Sequence, residues 1–391
     1  MKFPKNTLIR CTALLYFVIL TSCNGQIKEG NKTGQDSTKY ALHPWPPVGN
    51  LMDIDPYFTE TNTLTTFHGP QSISRNIIQD NKGYMWFATW EGIMRYDPLA
   101  DKAGEKAFTN FTNTERLRRY HTFAVMEDKS GDIWFGSIGA GLYRYTLSEE
   151  NPKWINYTTA DGLVHNGIGC IYQDKSGKIW FGTQGGVSCY DPTQTPKEGA
   201  SIFQNLPLKD AKNDNDVNSI IEDKSGRLWF GARGQAYRYD KNPLNSDEQK
   251  PYFLTKKDGQ PFTNVRCVIE DSQGSIWLGG NDGLWSFDGN NYSQYSSDFV
   301  GYIYEDIKSN IWFGSVKPSQ RNWTLAYYEN ESTHTGPKKY TFIKEQQGQI
   351  FGIMEDKDGK MWFGHERGVS RFDPSSIGNG DIHFENFRER K

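Results

Sequence analysis

A core of the form apolar, Glu/Gln-Asp, turn, apolar-Trp-aromatic-Gly recurs seven times along this 391-residue chain, and no other feature constrains its fold as strongly. The aspartates are Asp80, Asp128, Asp174, Asp223, Asp271, Asp306 and Asp356, and the tryptophans Trp86, Trp134, Trp180, Trp229, Trp277, Trp312 and Trp362. The Asp-to-Trp offset is 6 in every copy, and successive tryptophans lie 48, 46, 49, 48, 35 and 50 residues apart. That period is close to one four-stranded blade. The expected fold class is all-β, a single seven-bladed β-propeller of four-stranded blades spanning residues 61–391.

The fourth copy shows how one unit is built. Val217 to Glu222, apolar at 217, 220 and 221, suits an inner strand buried on both faces. In the turn Asp223-Lys-Ser-Gly226 the Asp side chain can cap backbone amides and the Gly can take positive φ. Leu228 to Gly231 follows as the second strand, with Trp229 as a wedge against a neighbouring blade. Tyr237 to Asp240 makes the third strand and Tyr252 to Leu254 the outer fourth. The repeated Asp, Gly and Trp residues are therefore read as scaffold, because every blade needs the same turn and wedge whether or not it touches a ligand. A composition with 14% aromatic residues and 39 glycines agrees with many short strands and tight turns. The net charge of −3 offers no basic stripe for nucleic acid.

Before the repeats, Lys2, Lys5 and Arg10 precede the apolar run Cys11 to Leu20, too short to span a bilayer and read as a signal peptide over 1–22. Leu20-Thr-Ser-Cys23 resembles the bacterial lipobox, which implies cleavage before Cys23 and a lipid on its sulfur. Asn24 in place of Asp implies the outer membrane rather than inner-membrane retention. Residues 23–60, rich in Gly, Lys, Thr, Asp and Pro, read as a flexible tether. Of the remaining cysteines, Cys170 and Cys189 fall on non-neighbouring strands of one blade and Cys267 two blades on, so buried thiols are expected rather than a disulfide.

The stretch Tyr157-Thr-Thr-Ala-Asp-Gly-Leu163, through Ile171-Tyr-Gln-Asp174 and Ile179-Trp-Phe-Gly-Thr183 to Tyr190-Asp191, resembles the two-component regulator propeller repeat. That repeat occurs in the periplasmic sensor halves of bacterial hybrid regulators and in standalone exported proteins, and the resemblance covers about residues 62–388. The sixth copy departs from it: Ser309 replaces the turn Gly, and Trp312 to Glu329 is 17 residues where the others use 11 or 12. With no second apolar span and no kinase after the seventh copy, the chain is expected to lack a signalling output of its own. Ring closure is expected from Leu64 to Phe67 joining the last blade, with His383 to Phe387 packing outside it or competing for the place.

In a propeller, the loops leading into the inner strands and those between second and third strands build one funnel face. The candidate ligand-binding residues there are Arg75, Trp90, Glu91, His121, His165, Gln184, Arg233, Arg266, Asn281, Lys317, Arg321, His365 and Arg367. Indole stacking and bidentate arginine bonds would suit a glycan, acidic or neutral. The cluster Asp210, Asn213, Asp214 and Asp216 lacks EF-hand spacing and reads as a solvated turn, so no metal is assigned. No catalytic residue and no cofactor is assigned either.

Two functions stay open. The first is a monomeric outer-membrane lipoprotein that binds a glycan or an envelope protein, touching the membrane through its lipid only. The second is a metal-dependent enzyme similar to the streptogramin lyases, also seven-bladed propellers, to which His121, His365 and Glu366 could contribute.

Overall fold

The computed structural model describes residues 64–111, 121–147, 153–195, 200–206, 216–245, 250–317, 322–329, 340–378 and 382–388. Cys23, the leader and tether assigned to residues 1–60, and Arg321, Asp210, Asn213 and Asp214 lie outside the described residues. Seven antiparallel sheets follow one another along the chain, each with four strands running from an inner strand outward in sequence order. The fourth blade matches the strands read from sequence almost residue for residue, with Val217–Glu222, Leu228–Ala232, Tyr237–Tyr239 and Tyr252–Phe253. Among the described residues, no helix is long and apolar enough to cross a membrane.

The constant offset of 6 has a direct cause. In every blade one carboxylate oxygen of the motif Asp accepts the indole N–H of the motif Trp, at 2.6 to 2.8 Å. The other oxygen caps the intervening hairpin, accepting for example from the backbone N–H groups of Ser225 and Arg227 at 2.9 Å. One acid thus satisfies a turn and a buried indole together, which a separation of six residues across a two-stranded hairpin permits. Ser309, which stands where the other turns have Gly, holds the same left-handed backbone at φ 62°. A non-glycine residue costs about 1 kcal/mol there.

Each motif Trp is a wedge between blades. Trp86 packs on Val125, Ile133 and Phe135 of blade 2, Trp229 on Val268, Ile276 and Leu278 of blade 5, and Trp362 on Ile77, Met85 and Phe87 of blade 1. The indoles are fully buried, with exposure of at most 1%.

The Glu or Gln before each motif Asp has a role that sequence reasoning did not assign. Its side chain accepts the backbone N–H of the residue after the motif Asp of the preceding blade. Glu127 takes Asn81, Gln173 takes Lys129, Glu222 takes Lys175, Glu270 takes Lys224, Glu305 takes Ser272 and Glu355 takes Ile307, at 2.7 to 2.9 Å. Gln79 closes the circle by accepting from Lys357 at 2.7 Å.

The chain ends do not behave as expected. Leu64–Thr66 does not join the last blade; it pairs with Phe108–Asn110 as a fifth, outermost strand of blade 1. The fourth strand of blade 7 is Glu385–Asn386, paired with Ser370 and Arg371 and tied by the Arg371–Glu385 ion pair. Burial explains the outcome. Phe387 is wholly enclosed, stacks on Trp362 at 4.9 Å and lies edge-on to Tyr96 and Phe108 of blade 1. Leu64 and Thr65 are exposed, so that segment has no side chain to fill the cleft. The N-terminal side contributes a latch instead: the Gly69 N–H donates to the Phe387 carbonyl at 2.9 Å, and a Cβ at Gly69 would come within 2.8 Å of the Phe387 Cβ.

In urea unfolding, Phe387→Ala is expected to cost about 3–5 kcal/mol through loss of the closing aromatic. Thr65→Ala, on the outer edge, is expected to cost less than about 0.5 kcal/mol. Equal losses would contradict closure through Phe387.

Candidate functional site

The inner strands begin on the funnel face with an irregularity that recurs around the ring. Their register shifts between Ser74 and Asn76, Thr122 and Ala124, Ile168 and Cys170, Val217 and Ser219, Val300 and Tyr302, and Ile350 and Gly352. One extra residue sits at each bulge: Arg75, Phe123, Gly169, Asn218, Gly301 and Phe351. Blade 5 has Arg266 at the corresponding place, its N–H donating to the Gly279 carbonyl at 2.7 Å. A bulge frees a side chain from the regular pleat and re-aims it, so these seven positions form the rim of the central channel.

Arg75 lies in that rim with its guanidinium 3.9 Å from the ring centre of Phe123 and 5.1 Å from that of Phe351, one on each neighbouring blade. No hydrogen bond or ion pair ties its guanidinium among the described residues. Burial first, and the like charge of Arg266 second, pull its pKa down to about 9. Arg266 donates from Nη1 to Asn218 Oδ1 at 3.2 Å. Its pKa is lowered by burial and by Arg233, with Asp216 acting in the opposite sense. Arg233 itself is exposed and reaches Asp216 at 3.4 Å. At the next residue Asn76 Nδ2 donates to the Tyr302 hydroxyl of blade 6 at 3.5 Å while Asn76 Oδ1 accepts from the Val125 N–H of blade 2.

A second grouping lies between blades 1 and 2. The Trp90 indole stacks on the His121 ring at 4.4 Å and 18°, and His121 Nδ1 bonds to the Trp90 carbonyl at 3.0 Å, so that nitrogen carries the proton. Burial lowers the His121 pKa, with the carbonyl bond acting against it. The Trp90 Nε1–H is buried with no hydrogen-bond partner among the described residues. Glu91 beside it accepts from Gln71 N–H at 3.2 Å.

The other candidates are dispersed. His165 is exposed and accepts the Gly167 N–H at 2.8 Å, with Gln184 lying against Gly167. Asn281 accepts from Asn264 at 2.8 Å, and Lys317 is exposed. Arg367 is exposed and reaches Gln347 at 3.5 Å.

His365 is buried at 6% exposure, and its ring is committed. Nδ1 accepts the Arg367 N–H at 3.2 Å, which puts the ring proton on Nε2, 3.0 Å from Ser370 Oγ. Glu366 is exposed and makes no bond to it, so the two adjacent residues do not converge. Among the described residues no group of three or more His, Cys, Asp and Glu side chains could hold a metal.

The described cysteines are free thiols. Cys170 and Cys267 donate to the carbonyls of Val217 and Ile303 in the next blade, and burial pushes both up to about 12.

Sequence reasoning picked out Arg75 and Arg266 but missed Phe123, Phe351, Asn218, Asn76 and Tyr302. Aligning the seven copies on the motif Asp and reading the column five residues before it, where Arg75, Phe123, Gly169, Asn218, Arg266, Gly301 and Phe351 stand, would have found the rim.

Burial, reinforced by Lys344, Arg367 and Arg388, holds the His365 pKa down at about 4. A depressed histidine stabilises the fold above its ordinary pKa of about 6.5, and that stability is lost as pH falls towards the folded value. Between pH 7 and pH 4 the protein is expected to lose about 2–3 kcal/mol more than a His365→Gln variant in chemical denaturation. Equal losses would show that His365 titrates as it does in water.

The family described as two component regulator propeller matches at residues 162–185, 212–234, 259–282 and 344–367. No curated protein matches the chain in sequence. Among solved structures, the fold is similar to the extracellular domain of the putative hybrid two component system BT3049 from B. thetaiotaomicron, with TM-score 0.61 and 20% identity over 82% of this chain. The chain covers 42% of that domain, less than half its length. It is also similar to a streptogramin B lyase, with TM-score 0.57 and 16% identity over 81% of this chain and 98% of that one. A catalytically inactive virginiamycin B lyase from Staphylococcus aureus with quinupristin gives TM-score 0.56 and 11% identity over 79% and 97%. At these identities the likeness is one of fold.

Proposed function

We propose, from the four two component regulator propeller matches and the seven-bladed fold, that the chain is a binding domain working outside the cytoplasm. In this reading it is anchored to the outer membrane by a lipid on Cys23, and its funnel face takes a glycan or an envelope protein without transforming it. The observation that carries the reading is the division of labour among its polar residues. All seven motif acids are engaged by turn amides and indoles, whereas the funnel face carries arginines and a Trp90–His121 stack that the blades do not need. Half-buried cations and flat rings on a concave face are the equipment of recognition. The glycan is favoured over a protein partner because an aromatic stack and guanidiniums on the same funnel face suit the apolar faces and the hydroxyl or acidic edges of sugars.

A lyase-like reaction would need a positioned acid or base with ligands around an open metal position. His121 and His365, its strongest candidates, sit on blades 2 and 7 with ring nitrogens bonded to the Trp90 carbonyl and to Ser370 and Arg367. The extracellular setting draws on the likeness to the extracellular domain of the hybrid system, and the anchor on the Leu20 to Cys23 motif.

A thermal-shift panel of acidic and neutral oligosaccharides, with and without divalent metal, tests the reading. A glycan-dependent rise in Tm that is lost in the Trp90→Ala, Arg233→Ala double variant is expected. A flat glycan response with a metal-dependent rise would overturn it in favour of a metal-dependent enzyme.

A further inference from the structure

The channel rim holds more positive charge than its own structure uses. Arg75, Arg266 and Arg233 bring three guanidiniums to one end of the channel, where Arg75 and Arg266 act on one another and Arg266 and Arg233 do the same. Asp216 lies against Arg233 and moderates Arg266, while Arg75 has no acid within reach among the described residues. A cation desolvated without a counter-charge is costly, and folds tolerate such groups where a ligand supplies the missing partner.

The geometry around Arg75 is that of a prepared grip. Phe123 and Phe351 of the two neighbouring blades lie 3.9 and 5.1 Å from the guanidinium carbon, and no acceptor among the described residues takes its N–H groups, which a bidentate oxyanion could. The Asn218 amide orients Arg266. One residue further along the inner strand, Asn76 of blade 1 donates to the Tyr302 hydroxyl of blade 6 at 3.5 Å. We propose that this rim is an oxyanion subsite, in which Arg75 and Arg266 together bind the carboxylate or sulfate of an acidic sugar entering from the funnel face.

This proposal rests on the glycan reading above but is separable from it. The test compares wild-type protein with Arg75→Met and Arg266→Gln, measuring Tm and affinity. The probes are a neutral galactan tetramer, a galacturonate tetramer, a sulfated galactan tetramer, and inorganic sulfate against chloride at matched ionic strength. The wild type should be stabilised by sulfate and by at least one acidic tetramer but not by the neutral one, and whichever acidic tetramer binds tells carboxylate from sulfate. Arg75→Met should abolish these shifts and Arg266→Gln should weaken binding by roughly tenfold or more. Without ligand, Arg75→Met should melt no lower than wild type, because it removes an uncompensated charge and retains the apolar stem between the two rings. Should sulfate act through Arg75 while no sugar binds, the glycan reading falls and the anion site stands. If the neutral tetramer binds as tightly as the acidic ones, or if Arg75→Met responds to sulfate as wild type does, the anion site is overturned.

Discussion

A single carboxylate in each blade does three jobs at once, and the rest of the molecule depends on it. It closes the first hairpin by capping backbone amides, it satisfies the indole N–H, and it thereby fixes the rotamer of the tryptophan that packs on the next blade. A buried acid or a buried indole N–H left alone would each carry a penalty of about 1–3 kcal/mol. Paired, they remove both penalties and leave the indole's apolar surface free to drive packing between blades. Because each wedge packs on the neighbouring blade as well as on aromatics of its own, such as Phe387 against Trp362, the seven units are tied into one ring.

That ring is completed by two further layers of contact. The Glu or Gln at the end of each inner strand reaches the preceding blade's turn, and lysines such as Lys129, Lys175, Lys224 and Lys357 donate to the next blade's motif-Asp carbonyl. At the opposite end of the inner strands the bulges interrupt the ladder and free one residue per blade. The face used for assembly and the face available for recognition are therefore separate, and the recognition face can vary without disturbing the wedges. Arg75 stands on that second face, against Phe123 and Phe351 and with no acid within reach among the described residues.

The blades were legible in the sequence because their determinants are local. An Asp, a turn Gly and a Trp within six residues define a hairpin whichever blade holds them, and the strands around Trp229 follow directly. The termini were not legible in the same way. Leu64–Thr66 and Glu385–Asn386 are both short, β-compatible and outermost, and their places are decided by Phe387 fitting against Trp362, Tyr96 and Phe108, three residues remote in sequence. The candidate site was half legible. Arginines in strand-leading positions draw notice, whereas Phe123 and Phe351 read as ordinary core residues until the ring brings them to either side of Arg75. His365 misled in the opposite direction, since a histidine beside a glutamate suggests chemistry but the fold turns one inward and the other out.

The account stands on the Asp–Trp pairing, and indole hydrogen exchange in protein labelled with 15N-tryptophan tests it directly. The Nε1–H groups of Trp86, Trp134, Trp180, Trp229, Trp277, Trp312 and Trp362 should all exchange slowly, at rates that follow opening of the ring. Replacing Asp174 by Ala should release Trp180 with the others still protected or, if the ring is fully cooperative, speed all seven together. Rapid exchange at several motif indoles in the intact protein would contradict the claim that each acid binds its own tryptophan.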